Sequence, residues 1–297
     1  LEADEDAVLA ATAAWARAQI HRGEKPFAAK ALALLTKGLA SDQQAVREGA
    51  AHGLADLAEQ LDDEQKRQLA ATFVGLLADA DPQVAQAAGA SLIRLGGTCV
   101  DTLRGRLKDP AVRTNVLEVL AGLGAAAKPA VADLVAALGD DDAEHAGEAA
   151  AALAAVGPDA AAAVPALRRI VTGPATPSGL RYAAAYALGR IGPAAKEAAA
   201  DLRPLAESTD ELLATVAVWA TLKIEPEDRS LFDRAIPLLR KALRAEGEMV
   251  RLEAAVALGD IGPAAGSAIP ILELVAEDDP VKPVRDAAAA AVRKIRR

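Results

Sequence analysis

The stretch "ALGRIGPAAKEAAADLRPLAE" (residues 187–207) decides the fold, because it recurs as "ALGDIGPAAGSAIPILELVAE" (residues 257–277). The two segments lie seventy positions apart and share twelve of twenty-one residues. In both, a Gly-Pro pair separates an alanine-rich segment from a second apolar segment, and this pair is typical of a break between two helices. The recurrence therefore predicts a repeated structural unit rather than a unique site.

The same unit extends along most of the chain. An apolar anchor residue, followed by apolar residues four, eight and eleven positions later, recurs at spacings of 28–38 residues. These offsets lie on one face of an α-helix, which we name the second helix of each repeat. Clear anchors are Val46, Val84, Val112, Leu180, Val250 and Val284, and degenerate copies begin at His145 and Leu213. A first helix such as "AIPILELVAED" precedes each second helix, and an acidic turn joins the two.

The sequence contains no strand pattern, since no stretch of alternating apolar and polar residues is long enough to form a β-strand. We predict an all-α fold, a right-handed curved α-solenoid of about eight two-helix repeats with one extra N-terminal helix. Residues 1–26 are predicted to form a capping helix and residues 27–297 the repeat array. The cap is expected to cover the first repeat with an apolar stripe, because solenoid ends need an atypical cap. That stripe comprises Val8, Leu9, Trp15, Ala16 and Ile20.

These residues carry a family resemblance. The repeats resemble bacterial HEAT repeats, particularly the alanine-rich, Gly-Pro-punctuated type described as phycobilisome-lyase-like. The matching segments are "VREGAAHGLADL" (46–57), "VRTNVLEVLAGLG" (112–124), "LRYAAAYALGRIGPAA" (180–195), "VRLEAAVALGDIGPAA" (250–265) and "VRDAAAAAVRKI" (284–295). The resemblance runs from about residue 27 to the end and implies the solenoid fold. For lyase-like members it also implies attachment or detachment of bilin chromophores on antenna proteins.

Charge and composition limit the function classes. The formal net charge is −9 with a sequence pI near 5.0, so the overall field opposes a nucleic acid, which is held mainly through its phosphates. We find no apolar run near the roughly 20 residues that span a bilayer, and we predict no membrane association. We expect a soluble chain with the cytoplasm as the favoured compartment. Because residue 1 is Leu rather than Met, removal of a targeting segment from the chain stays an open alternative.

Patterns typical of catalysis and cofactor binding are missing. His21, His52 and His145 belong to different repeats, and no metal-ligand spacing accompanies them. The acidic run "GDDDAEH" (139–145) is interpreted as a capping turn, since it lacks the alternating ligands of a calcium loop. Cys99, the one cysteine, is interpreted as a small buried residue. We predict no enzyme activity, no cofactor and no metal.

An arginine follows the anchor in several repeats, at Arg47, Arg113, Arg181, Arg251 and Arg285. A row of arginines could bind an anion, but acidic residues lie nearby. We interpret the row as a structural charge ladder, in which acidic residues including Asp42, Asp109 and Glu248 offer partners within and between stacked repeats.

One surface stands out from the repeat background. Positions two, six and nine residues after each anchor face away from the apolar stripe and, in similar stacks, tend to line the concave side. In the fifth to seventh repeats these positions carry a set that we name the aromatic patch: Tyr182, Tyr186, Trp219, Leu222, Leu252 and Val256. Tyr and Trp are favoured anchors of binding surfaces. Two arrangements remain open: an exposed groove, or rings wedged between helices as packing.

The resulting prediction is a non-catalytic scaffold that binds a protein or peptide of unknown identity on the concave surface through the aromatic patch. The alternative is a bilin lyase-like subunit that attaches chromophores, which only the resemblance implies. A nucleic-acid-binding HEAT protein is a further alternative, and the acidic charge balance counts against it.

Overall fold

The computed structural model describes the backbone of residues 2–297 and the side chains of residues 8–297. All regular structure in this part of the chain is helical, without a strand. The chain divides into two compact units, Leu1–Asp133 (unit 1) and Leu134–Arg297 (unit 2). The predicted all-α stack of two-helix repeats is confirmed within each unit.

Unit 1 begins with the extra helix and continues with helix pairs. Its helices are α1 (Glu2–Ile20), α2 (Lys25–Gly38), α3 (Gln44–Leu57), α4 (Asp63–Leu76), α5 (Pro82–Leu95), α6 (Val100–Arg104) and α7 (Arg113–Leu123). The second helices pack in a row, α3 against α5 and α5 against α7, while α1 packs against α2 and α3. Helix α8 (Val131–Ala137) crosses the boundary between the units.

The apolar stripe predicted for α1 is largely wrong. Leu9 and Ile20 are 68% and 76% exposed, whereas Ala14 and Ala18 are buried. Alanine allows a close approach of α1 to α2, so the contacting face is the alanine face rather than the one with the largest side chains.

Unit 2 repeats the same arrangement of first and second helices. Its helices are α9 (Ala143–Val156), α10 (Val164–Thr172), α11 (Ser178–Ile191), α12 (Ala199–Leu202), α13 (Glu211–Ile224), α14 (Ser230–Ala242), α15 (Glu248–Ile261), α16 (Ile269–Asp278) and α17 (Lys282–Ile295). Second helices α9, α11, α13, α15 and α17 pack consecutively against one another. Their contacting faces are built from fully buried alanine and leucine, including Ala184, Leu188, Ala217 and Leu258.

The Gly-Pro pairs break the helices as predicted, although not in the left-handed helical conformation in which glycine commonly ends a helix. Gly157, Gly192 and Gly262 have positive φ near +70°, and their ψ values of −136°, −140° and −143° lie outside the left-handed helical region. This region is accessible essentially to glycine alone. A short 3₁₀ helix begins at each of these glycines, and Pro occupies its second position. The break is therefore a glycine-specific corner followed by a tighter helix.

Three stretches are long and apolar enough, by length and composition, to cross a membrane: Arg113–Ala137, Ala143–Thr172 and Glu248–Asp278. The expectation that no apolar run approaches this length was wrong. In each stretch a glycine with positive φ, Gly124, Gly157 or Gly262, interrupts the α-helix. The α-helices within them reach at most 14 residues, short of the roughly 20 that span a bilayer.

Candidate functional site

Three rings of the aromatic patch form one stack in unit 2. Tyr182 and Tyr186 are one helical turn apart on α11, with ring centroids 6.3 Å apart and planes inclined by 15°. Tyr186 stacks in turn on Trp219 of α13, at 5.1 Å and 13°. The structure thus brings together the three aromatic residues that the sequence singled out.

Trp219 lies against the backbone of the neighbouring helix. A Cβ added to Gly189 of α11 would lie 2.4 Å from a ring carbon of Trp219, so the indole occupies the space that this glycine leaves open. The Trp219 side chain is 4% exposed, and its Nε1 donates a hydrogen bond to Asp260 Oδ2 at 3.3 Å. Trp219 therefore contributes to packing between the fifth and sixth repeats.

Asp260, near the end of α15, joins three helices by polar contacts. Lys294 Nζ of α17 lies 2.9 Å from Asp260 Oδ1, and Lys223 Nζ of α13 lies 3.4 Å from Oδ2. Burial favours a higher pKa for Asp260, but the hydrogen bond from Lys294 and the charge of Lys223 together hold the pKa below its usual value. Asp260 thus stays ionised at the edge of the helix array.

Tyr182 forms a hydrogen bond with a residue two repeats further along the chain. Its hydroxyl donates to Glu253 Oε1 at 2.9 Å, which links α11 to α15. Glu253 is 9% exposed, and burial raises its pKa, with the hydrogen bond from Tyr182 acting in the opposite direction. Burial and the adjacent Glu253 carboxylate also raise the pKa of Tyr182. A buried carboxyl of this kind is costly unless it is hydrogen-bonded.

The remaining residues of the aromatic patch divide by exposure. Leu222 is 8% exposed and buried like Trp219, whereas Tyr182, Tyr186, Leu252 and Val256 are half-buried. In unit 1 the corresponding positions, such as Gln86, Thr114 and Glu118, are exposed. Other corresponding positions of unit 1 differ, since Ala55 is buried and Glu48 and Ala121 are half-buried. In unit 2 the large side chains at these positions pack onto their neighbours.

A cleft of about 340 Å³ adjoins Trp219 where the second helices of unit 2 end. Its walls include Trp219, Leu222, Phe232 and Ile261, and its charged lining residues are Arg190, Lys223 and Asp260. The cleft was not predicted, since the sequence interpretation considered neither the Gly-Pro corners nor the ends of the second helices as a surface.

Sequence reasoning also missed Glu253 and Asp260. A signal for Glu253 exists: it lies three residues after an anchor, beside the buried stripe, where most repeats carry Ala, Gly or Val. For Asp260 no such signal is available, because the equivalent residue Arg190 is equally polar.

The recurrent arginines bond to main-chain carbonyls of the turn before their helix. Four of them donate to the oxygen six residues earlier: Arg47 to Ser41 (3.0 Å), Arg113 to Leu107 (3.2 Å), Arg251 to Ala245 (2.9 Å) and Arg285 to Asp279 (2.5 Å). Arg181 donates to Gly173 O at 3.1 Å. These carbonyls lie in the turns just beyond the preceding helices, and the guanidinium groups supply them with hydrogen-bond donors.

Two of these arginines also form the predicted charge ladder. Arg47 and Arg251 pair with Asp79 and Asp279 of the following repeat, with closest N–O distances of 2.9 and 2.6 Å. Hydrogen bonds from these arginines lower the pKa of each carboxyl. Both pairs join neighbouring repeats, since each carboxylate lies in the turn one repeat later, and the charges of Asp42 and Glu248 add to the stabilisation of the charged Arg47 and Arg251. Asp109 instead pairs with Arg106 at 2.7 Å.

Other chemistry-bearing residues have local structural roles. Cys99 is buried, its Sγ lies 3.1 Å from Gly96 O, and burial raises the pKa of the thiol to about 11. In the acidic run, Asp140 and Asp142 accept hydrogen bonds from backbone N–H groups at the start of α9, as a capping turn does. Among residues 8–297, no three His, Cys, Asp or Glu side chains converge as metal ligands.

Packed helical hairpins with glycine corners define a helical-repeat protein. The family model for HEAT repeats matches residues 131–221 and 227–293, more than half of the chain. The chain therefore belongs to the HEAT-repeat family.

Among solved structures, the chain is similar to the karyopherin Kap121p bound to the SUMO protease Ulp1p, with 15% identity and a TM-score of 0.61. This similarity covers 89% of the chain and 33% of the karyopherin, so the chain spans about a third of that protein's length. A crystal structure of an engineered protein also matches, with 23% identity, 89% of this chain, 96% of that chain and a TM-score of 0.33. No curated protein matches the chain.

Proposed function

We propose that this chain is a non-catalytic scaffold that binds a protein or peptide partner on the face of unit 2 around the aromatic patch. The observation that carries the proposal is the stack of Tyr182, Tyr186 and Trp219, because its two tyrosines keep part of their surface accessible. Partly exposed rings held rigidly by their neighbours provide contact area at a low entropic cost. The sequence predicts this face to be concave.

The residues of the aromatic patch contribute in two ways. Tyr186, Leu252 and Val256 are half-buried and would contact the partner directly. Trp219 and Leu222 are buried and would support them from below. The cleft of about 340 Å³ beside Trp219 offers space for one apolar side chain of the partner.

One structural neighbour supports a binding role at the level of the fold. The karyopherin that resembles this chain was crystallised with a protein bound to it. A stack of repeats presents a long continuous surface, which suits an extended partner.

The test is affinity capture from a lysate of the source organism. The variant Y186S/L252S/V256S removes the accessible apolar surface of the aromatic patch. The control variant L9S/L274S removes apolar side chains that are 68% and 56% exposed elsewhere. We expect a partner to be captured by the wild type and the control but lost by the patch variant, with unchanged circular dichroism spectra. Equal capture by all three proteins would contradict the proposed site.

The finer family resemblance, to phycobilisome-lyase-like repeats, remains a prediction, as do its bilin-attachment activity and its bacterial origin. Incubation of the chain with a bilin and an acceptor protein tests the activity. A shift of the bilin absorbance with a covalent adduct would support the alternative, and an unchanged spectrum would remove it.

A further inference from the structure

A cluster of cations without partners lies at the end of α14. Arg240, Lys241 and Arg244 are exposed, and none forms an ion pair or side-chain hydrogen bond with a residue that the structure describes. The three residues lie within a span of five positions: Arg240 and Lys241 belong to the last turn of α14, and Arg244 to the turn that follows it. Other cations of unit 2 are paired, among them Arg203 with Glu225 and Arg251 with Asp279.

The three cations converge on one cleft of about 410 Å³. Pro237, Ala245 and Ile271 contribute its apolar lining, and Glu211 is its one acidic lining residue. The charged lining therefore carries a net charge of +2, in a chain whose formal net charge is −9. Such a local excess of positive charge attracts an anionic ligand although the whole molecule is acidic.

A smaller hollow adjoins this basic cleft. It has a volume of about 100 Å³ and shares Glu211 and Lys241 with the cleft. Its apolar lining includes Val218, Leu238 and Leu239, and the Leu238 side chain is 42% exposed. The basic cleft and the hollow together offer positive charge beside an accessible apolar surface.

We propose that the basic cleft binds an acidic peptide segment of a partner protein. Carboxylates of the segment pair with Arg240, Lys241 and Arg244, and an adjacent apolar side chain enters the hollow beside Leu238. Arginine suits this role because its planar guanidinium binds a carboxylate through two parallel hydrogen bonds. The basic cleft shares no residue with the aromatic patch, so this binding site does not depend on the function proposed above.

An anionic membrane fits the same observations less well. The cations line a concavity rather than a flat face, and a peptide enters a concavity more readily than a bilayer surface does. Glu246 and Glu248 follow the cluster in the sequence and are exposed, so they would oppose an extended negative surface. The peptide proposal is therefore the one that the charges favour.

The experiment measures fluorescence anisotropy of a labelled peptide in which leucine is flanked by glutamates. The same peptide with glutamines in place of glutamates is the ligand control. The variant R240Q/K241Q/R244Q removes the cluster. The matched variant K108Q/R169Q/K196Q removes the same charge from exposed, separated positions. Circular dichroism confirms that both variants fold, since cations in the last turn of a helix also stabilise it.

We expect saturable binding of the glutamate peptide that weakens with salt, and a loss of about tenfold or more for the cluster variant only. Replacing Leu238 with Ser is expected to weaken the binding of this peptide. It should not weaken the binding of a peptide that has alanine in place of leucine. The proposal is overturned if the wild type shows no saturable binding, if the glutamine peptide binds equally, or if both triple variants lose affinity alike. Sedimentation with phosphatidylserine vesicles, without peptide binding, would assign the cluster to lipid instead.

Discussion

Gly262 has a φ of +69° and a ψ of −143°, a combination that residues with a Cβ rarely adopt. Gly96, Gly124, Gly157 and Gly192 repeat this corner at the ends of their helices. A Cβ added to Gly262 would meet nothing within 4 Å, so the need for glycine there arises from the backbone alone. The corner joins the second helices α5, α7, α9, α11 and α15 to the segments that follow them, whereas α3 and α13 end without one.

Replacing Gly262 with Ala should therefore lower the free energy of unfolding by about 1–3 kcal/mol through backbone strain. Gly266 is the matched control, since it also has open space around it but no positive φ. Its replacement with Ala should be neutral or slightly stabilising. Urea denaturation of both variants checks this, and equal stabilities would show that the corner tolerates a side chain.

Glu253 gives the protein a specific pH dependence. Its pKa is raised in the folded state, so its contribution to stability is fully present below the unfolded value of about 4.3. That contribution is lost as the pH rises through the folded pKa, because the unfolded state releases the proton first. Glu253→Gln mimics the protonated side chain and should melt at a higher temperature than the wild type at neutral pH. The difference should vanish in acid; a difference that is constant with pH would be inconsistent with this interpretation.

At the residue scale the sequence was most informative about local rules. The Gly-Pro corners and the capping role of the acidic run followed from backbone preferences, which depend on nearby residues only. The partners of Trp219 and Tyr182 did not, because Asp260 and Glu253 lie 41 and 71 residues away. Which of many polar residues meets a given ring depends on the three-dimensional stacking of repeats.

Helix pairs in unit 2 approach closely where glycine or alanine faces a larger side chain. Gly189 of α11 is in contact with the Trp219 ring, whereas Gly147 of α9 has nothing within 4 Å of an added Cβ. Both glycines lie within α-helices. Comparing their replacements with Ala therefore distinguishes an effect of packing from an effect of helix propensity.

Gly189→Ala should destabilise the protein by about 1–3 kcal/mol, because the new methyl group displaces the indole. Gly147→Ala should stabilise it by up to about 1 kcal/mol through helix propensity. Differential scanning calorimetry with tryptophan fluorescence measures both effects. If Gly189→Ala raised the melting temperature, the close packing of Trp219 on α11 would be refuted.

The charge ladder between repeats should also contribute to the free energy of unfolding. Asp279 and Arg251 are 5% and 12% exposed in their side chains, and Asp279→Asn leaves the guanidinium without its carboxylate. We expect a loss of about 2–3 kcal/mol at neutral pH. The lowered pKa of Asp279 means that this stability is present above the unfolded pKa and is lost as the pH falls through the folded pKa. The wild type and the variant should therefore converge in acid.

Asp286→Asn is the control for the ladder, because its ion pair with Lys282 is exposed. Its effect on the melting temperature should be much smaller, since exposed ion pairs contribute little. Equal losses for both aspartate variants would show that the ladder has no special role.

At the scale of the helices, the period of the apolar residues predicted which segments are helical. It did not predict which carboxylates pair with the arginines. The sequence offered carboxylates to each arginine within its own repeat and in neighbouring repeats, and Arg47 and Arg251 pair with the turn one repeat later. The stripe of α1 failed for a related reason, because large side chains such as Leu9 and Ile20 remained exposed while small ones made the contact.

For the molecule as a whole, each repeat buries its apolar face only against its neighbours, so the exposed faces are long and available to partners. The acidic charge of −9 is unevenly distributed, and the basic cleft on α14 is a local exception. Two surfaces of unit 2, the aromatic patch and the basic cleft, therefore combine shape with chemistry suited to a protein ligand. Composition and period predicted the fold class, but only the structure revealed the clefts.

Site-specific photo-crosslinking tests the binding role most directly. A benzophenone amino acid replaces Leu252 in the aromatic patch or, as the control, the exposed Leu274 of α16, and each protein is irradiated in cells of the source organism. The proposed function predicts a defined protein adduct at position 252 that is absent at position 274. Adducts at position 274 alone, the same adducts at both positions, or none at position 252 would contradict partner binding on this face.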